Sequence, residues 1–212
     1  FKKGETMKSK KGNIFIALGI IFIAGAIGLC GYNLIESKSA EESSKSAVME
    51  IEQQIIPKKE EYIYENAGEM EIPDYILNPE MDMPKVKIDG TEYIGTLEIP
   101  SLRLKLPIIS EWSYPTLKIA PCRYFGSVYL DNMVIAAHNY SSHFREIENL
   151  SIGDEVVFTD VDGNEFFYSV SAKEVLPPTA IEEMTSGEWN LTLFTCNSAG
   201  NFRIAVRCDK TE

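Results

Sequence analysis

The chain has 212 residues, 44% of them hydrophobic and 25% charged, with a formal net charge of −12. This length allows one medium domain with appendages, and the hydrophobic share is enough for a core. The acidic balance argues against a nucleic-acid binder, which would carry a basic face.

The charge is unevenly spread along the chain. Residues 1–13 hold five lysines (Lys2, Lys3, Lys8, Lys10, Lys11) against Glu5, a local charge of +4, which leaves −16 on the remainder. Met7, followed by "KSKK", fits a natural start, with Phe1–Thr6 as an added remnant. Directly after the lysines comes an uncharged run, "IFIALGIIFIAGAIGLCGYNLI", from Ile14 to Ile35. Its 22 residues span ~33 Å as a helix, enough for the ~30 Å apolar core of a bilayer. A cleaved signal peptide has a shorter apolar region and a small-x-small end, whereas this run ends in Gly31-Tyr32-Asn33-Leu34. A lipidated Cys30 is disfavoured by the bulky Leu29 before it. The expectation is an uncleaved transmembrane anchor over 14–35. The lysines before it then stay in the cytoplasm, and everything after Ile35 lies outside the cell.

From Glu36 to Pro84 the chain is acidic and carries four prolines, the first at Pro57. "AVMEIEQQI" has the pattern of a short helix, and the rest reads as an extended, solvated stalk. From Lys85 to the C-terminus short β segments take over. "KVKIDG" and "TEYIGTLEIP" alternate and end in turn residues, and "LKLPII" and "NMVIAAH" follow. "DEVVFTD" and "NEFFYSVSAKEVL" flank an Asp162-Gly163 turn and read as a hairpin. "LTLFTC" and "FRIAVR" form the last pair, and helical signal within this domain is limited to "SHFREIENL". Seven or eight short strands over 85–212 make a mostly β domain, either a closed barrel or a sandwich.

Four cysteines occur: Cys30, Cys122, Cys196 and Cys208. Cys30 lies in the apolar span, so at least one of the three outside it stays unpaired within the chain. A Cys122–Cys208 disulfide is permitted by this arithmetic and would leave Cys196 free. Alternation puts Thr192, Phe194 and Cys196 on one face of their strand and Arg203, Ala205 and Arg207 on one face of the next. A four-residue loop, Ser198–Asn201, sets Cys196 directly across from Arg203, with the Cβ atoms ~5 Å apart. Arg207 then falls ~13 Å further along. A guanidinium beside a thiol favours the thiolate and can hold the oxygen of a tetrahedral intermediate. A buried cysteine next to a surface arginine gives the same local pattern, so the hairpin alone leaves both readings open.

Of two histidines, His138 ends the strand "NMVIAA", and His143 sits in the polar "NYSSHF" that follows. A strand end holds a ring rigidly, while His143 reads as a solvated loop residue. Cys196, His138 and Arg203 together form a thiol acyl-transfer constellation. Two histidines and scattered cysteines lack metal-ligand spacing. Trp112 and Trp189 read as packing residues rather than groove residues.

"TLFTC" (Thr192–Cys196), an arginine opening the next strand and a histidine in "VIAAHNYSSHF" resemble a sortase. The resemblance runs from about Ile94 to Val206 and takes in "LSIGDEVVF…GNEFFYSV". It implies a closed eight-stranded β-barrel with short helices, preceded by one transmembrane helix. It implies a transpeptidase in which Cys196 is the nucleophile, His138 the general acid/base and Arg203 the oxyanion or substrate clamp. Thr195 would line the sorting-signal groove. Ala137 stands where the family usually has glycine before the histidine, at the edge of the same substrate site, which bears on its fine geometry. The implied reaction cleaves a Leu-Pro-x-Thr-Gly-like signal through a thioacyl enzyme and passes the acyl group to an amine. The implied partners are secreted proteins with that C-terminal signal, a peptidoglycan-precursor or pilin amine acceptor, and the membrane. No nucleic acid, cofactor or metal is implied.

The segment Pro177–Asn190 is short, so the chain resembles the family's shorter-loop classes rather than class B. "IPDYILNP" (Ile72–Pro79) is too distant and unspecific for the lid of a pilus polymerase, which favours an anchoring enzyme. The rival functions are a membrane-anchored cysteine peptidase that hydrolyses rather than transfers, and a non-catalytic surface-binding module.

Overall fold

The computed structural model describes residues 10–65 and 72–211. The lysines before Lys10, Met7 and the linker residues 66–71 lie outside the described residues. Two compact units divide the chain, Phe1–Lys38 and Ser39–Glu212.

In the first unit the apolar run forms part of helix α1 (Lys10–Glu65). Among the described residues this is one helix long and apolar enough to cross a membrane, and the apolar stretch is not buried inside the protein. Phe15, Phe22 and Leu34 are each more than 70% exposed, which in water would leave a large apolar surface uncovered. These features are consistent with a single-pass membrane anchor.

The second unit begins with the remainder of α1, and here the structure departs from the expected extended stalk. The helix continues to Glu65 instead of ending near Ile35. Ala40, Ser44, Ala47, Val48 and Ile51 are buried, at the helical spacing of a single face. Ala47 and Ile51 pack with Tyr93, Ile109 and Ala136 on the outside of the sheet. Lys105 reaches back to Glu52 at 2.6 Å. Composition hid this contact for a physical reason. Three of the five buried positions are Ala or Ser, which let backbones approach closely but add little hydrophobic signal, and the solvent face is acidic.

The short helix α2 (Asp74–Leu77) comes next, and Tyr75 on it stacks on Tyr129 at 4.8 Å. Nine strands follow: β1 (Val86–Ile88), β2 (Thr91–Ile99), β3 (Leu104–Ile109), β4 (Cys122–Phe125), β5 (Met133–Ala136), β6 (Glu155–Asp160), β7 (Glu165–Leu176), β8 (Leu191–Cys196) and β9 (Arg203–Lys210). Their order is β1-β2-β3-β4-β5-β8-β9-β7-β6, and β6 pairs back onto β2. Eight strands therefore close into a barrel, with β1 a hairpin strand added to the end of β2. Closure leaves no continuous unpaired edge on the barrel.

The closure depends on Gly95. A Cβ there would sit 2.1 Å from the Thr159 carbonyl oxygen, at φ +155, where β2 bulges to pair with both β3 and β6. Any side chain would push the closing strand away. The barrel interior is filled from alternate positions, among them Leu97, Ile108, Ile135, Phe158, Leu193 and Val206. The Asp162-Gly163 turn joins β6 to β7 as an antiparallel pair, as the sequence predicts. The "SHFREIENL" segment forms only a 3-10 turn, Arg145–Asn149. Two further short helices, α3 (Tyr114–Leu117) and α4 (Ile181–Thr185), lie in the loops before β4 and β8.

Candidate active site

β8 and β9 pair antiparallel with Cys196 opposite Arg203 and Thr192 opposite Arg207. The predicted register holds because the loop is fixed chemically. Asn197 N–H donates to the Phe202 carbonyl at 3.0 Å, and the Asn197 side-chain oxygen accepts from Phe202 N–H at 3.1 Å. Gly200, at φ +77, supplies the left-handed residue of the turn. Cys196 and Arg203 thus share the outer face of the barrel wall. The inner face of the same strands carries Leu193 and Val206.

His138 arrives from another part of the chain. β5 runs parallel to β8, with Ala136 level with Phe194, and Ala137 N–H donates to the Phe194 carbonyl at 3.1 Å. Continuing that register two residues places His138 level with Cys196 on the neighbouring strand, where strands lie ~5 Å apart. Four bonds lock the junction. Thr195 Oγ1–H donates to the Ala137 carbonyl at 2.8 Å. Asn139 Nδ2–H donates to the Cys196 carbonyl at 2.6 Å. Arg145 donates to the Asn139 side-chain oxygen at 3.2 Å and to its carbonyl at 3.3 Å. Asn139 and Arg145 were missed in the sequence. The available signal was an Asn immediately after the strand-end histidine, with an arginine six residues on.

A cavity of about 230 Å³ brings His138, Cys196 and Arg203 together. Phe194 and Tyr124 form its floor, ring edge to face at 5.3 Å. Pro177, Pro178 and Met184 of the segment around α4 form one wall, and Trp112 and Tyr114 another. Trp112 is 38% exposed, so it is a groove residue and not the packing residue expected. Trp189 does not line this cavity. Ala137 lines the cavity, whereas Thr195 is buried with its hydroxyl on the Ala137 carbonyl. Thr195 therefore braces the strand pair rather than lining the groove. Its side chain points inward because alternation opposes it to Cys196.

Arg207 occupies a different environment. It is 2% exposed, donating to Glu174 at 2.7 Å, to the Thr192 hydroxyl at 3.1 Å and to the Glu183 carbonyl at 2.8 Å. It ties α4 to the barrel and is absent from the cavity lining. His143 also differs from expectation, being 1% exposed rather than solvated. The chain folds back there, with His143 N–H on the Tyr140 carbonyl at 3.0 Å, and this turns the ring beneath the loop.

Cys122 and Cys208 are free and fully buried, and no disulfide joins them. Burial pushes the Cys122 thiol up to about 11 and the Cys208 thiol up to about 12. Only the thiolate alkylates readily. At pH ~8, iodoacetamide is therefore expected to modify Cys196, which is partly exposed at the cavity, and to spare Cys122 and Cys208 until the protein is unfolded. Peptide mass mapping checks this. Labelling of Cys208 at the rate of Cys196 in the folded chain would contradict the burial.

A family model described as "Sortase domain" matches residues 97–211. Sortase A of Bacillus anthracis is 25% identical over 185 residues, covering 84% of this chain and 84% of that protein. The sortase D5 transpeptidase of Clostridium perfringens superposes with a TM-score of 0.57 at 16% identity, covering 81% of this chain and 99% of that one. Sortase C of Clostridium perfringens, solved with a C-terminal cell wall sorting motif, superposes with a TM-score of 0.52 at 25% identity, covering 77% and 90%.

Proposed function

This chain belongs to the sortase family of cell-wall transpeptidases, and from that premise we propose that Cys196, His138 and Arg203 carry its reaction on a Leu-Pro-x-Thr-Gly-like sorting signal. One observation carries the assignment: these three side chains line one cavity whose other walls are apolar. Apolar walls suit leucine and proline side chains, while the thiol, imidazole and guanidinium sit together at one end.

The Cys196 thiolate attacks the carbonyl carbon of the signal's threonine. Negative charge develops on the carbonyl oxygen, where Arg203 offers a fixed cation. His138 gives a proton to the departing amine, and the C–N bond breaks to leave a thioacyl enzyme. An incoming amine loses its proton to His138 and attacks the thioester, and Cys196 leaves as thiolate. The acceptor is an amine of a peptidoglycan precursor or of a second secreted protein. An anchoring enzyme is favoured over a pilus polymerase, because none of residues 72–83 lines the cavity. Tyr75 packs instead on Tyr129 and Phe166.

A pentapeptide library offered with glycine, diaminopimelate or lysine as amines tests this reading. The expected product is the acyl-threonine amide of one amine. Hydrolysis that no amine diverts would replace transpeptidase by peptidase.

The lysine cluster before Ile14 supports a cytoplasmic N-terminus, with the unit from Ser39 outside the cell. The residues 36–84 then act partly as spacer and partly, through 40–51, as a piece of the catalytic unit. Protease shaving of intact, wall-stripped cells is expected to release a fragment containing Cys196. Full protection of that fragment would reverse the orientation.

A further inference from the structure

His143 is buried at 1% exposure, yet an imidazole is an expensive ring to bury. Its Nδ1 has no hydrogen-bond partner, a cost that a phenyl ring of similar shape would not incur. Something must use the other nitrogen. Nε2 lies 3.5 Å from the Ser44 hydroxyl, on the face of α1 that packs on the barrel. Ser44 is itself buried and donates its one proton to the Ile119 carbonyl at 3.3 Å. Its oxygen is therefore left to accept, which assigns the neutral His143 tautomer with the proton on Nε2. Burial acts in the same direction, holding the His143 pKa down to about 4, with the charge of His138 adding to it.

The ring fixed in this way does not stand alone. Tyr140 lies against His143 with centroids 5.4 Å apart, and His138 stacks on Tyr140 at 4.9 Å with 30° between planes. Backbone bonds close the same loop, from His143 to the Tyr140 carbonyl and from Phe144 to the His138 carbonyl at 3.3 Å. A continuous path runs Ser44–His143–Tyr140–His138, from the anchor-proximal helix to the cavity.

We propose that His143 is a positioning residue for His138, held in place by Ser44 of the helix that continues from the apolar span. It touches neither substrate nor thiol. It presents a fixed, uncharged backing to Tyr140, which fixes the plane of His138. Because it stays neutral, His138 can take up a proton without a second charge in the same stack. The proposal rests on the reading of His138 as the general acid/base.

The test is steady-state kinetics of the full chain in detergent micelles, with one signal peptide and one amine. Ser44→Ala removes the acceptor at little steric cost, and His143→Phe keeps a ring while removing the donor. Each is expected to lower kcat ~10-fold with KM within about twofold, because misplacing a catalytic group by a fraction of an ångström slows chemistry more than binding. Ser44→Thr keeps the hydroxyl and should restore kcat. The double variant should be no slower than His143→Phe alone, since both changes break one interaction. Wild-type kcat in folded Ser44→Ala would overturn the proposal, and so would effects that multiply in the double variant. If His143→Phe fails to fold, Ser44→Ala with its threonine rescue still decides. His138→Ala runs alongside, with an expected loss of at least ~10²-fold. Full activity there would overturn the underlying reading of His138, which the serine variants alone do not address.

Discussion

Replacing Cys196 by alanine is expected to abolish both cleavage and transfer while the barrel stays folded. The sulfur is the one atom that can form the thioacyl bond, and neither His138 nor Arg203 can substitute for it. Loss of the nucleophile in an enzyme of this kind costs roughly 10⁴-fold or more in kcat. The fold should tolerate the change for local reasons. The strand end is held by the Cys196 carbonyl, which accepts from Asn139 at 2.6 Å, and by its pairing with Arg203, and alanine keeps both backbone contacts. Cys122→Ala and Cys208→Ala should keep most activity, since both thiols are buried away from the cavity. Single-turnover cleavage with near-ultraviolet circular dichroism separates the cases. Turnover in a folded Cys196→Ala protein would remove the nucleophile assignment.

Arg203→Ala should lower kcat by ~10²–10³-fold, the usual loss for one oxyanion donor, or ~3–4 kcal/mol. Arg203→Lys should recover only part of it, because an ammonium cannot present a planar fork of donors. Arg207→Ala should behave in the opposite way. That guanidinium satisfies Glu174, Thr192 and the Glu183 carbonyl at once and lies outside the cavity, so its loss destabilises the fold. The cost is about 2–3 kcal/mol, because a buried acceptor is left without a donor. A part of it is relieved because Glu174 is 41% exposed and can turn to water. Denaturant melts and kinetics on one peptide distinguish the two arginines. Equal loss of kcat in a folded Arg207→Ala protein would reopen the choice of catalytic arginine.

These two arginines also show how far alternation reads. The Cys196–Arg203 register was legible because a hairpin is local. Loop length and strand period alone decide which residues oppose each other, and Asn197 and Gly200 are turn residues in the right places. Which face of the hairpin points inward was not legible. Both faces carry apolar residues, Leu193 and Val206 on one and Phe194 and Ala205 on the other. The expectation that Thr195 lines a groove failed at this step. In the folded chain Thr195 faces inward with its hydroxyl on the Ala137 carbonyl. His143 and the face of α1 failed for a related reason. A serine-rich loop and an alanine- and serine-rich helix face look solvated until something packs on them, and here they pack on each other through Ser44.

By itself the sequence determined the features that depend on near neighbours: an apolar stretch long enough to span a membrane, a run of short strands, the Asp162-Gly163 hairpin and the pairing of thiol with guanidinium. Only the tertiary structure decided the features that depend on distant ones. His138 reaches Cys196 because β5 and β8 pair in parallel across 58 residues, and a parallel register is set by the closure of the whole barrel, not by any turn between the two strands. Elements packed on the outside of that barrel, the α4 segment over Arg207 and α1 against His143, buried both residues. Burial is a property of what packs against a residue, so the sequence around a position can suggest its face but cannot supply its cover.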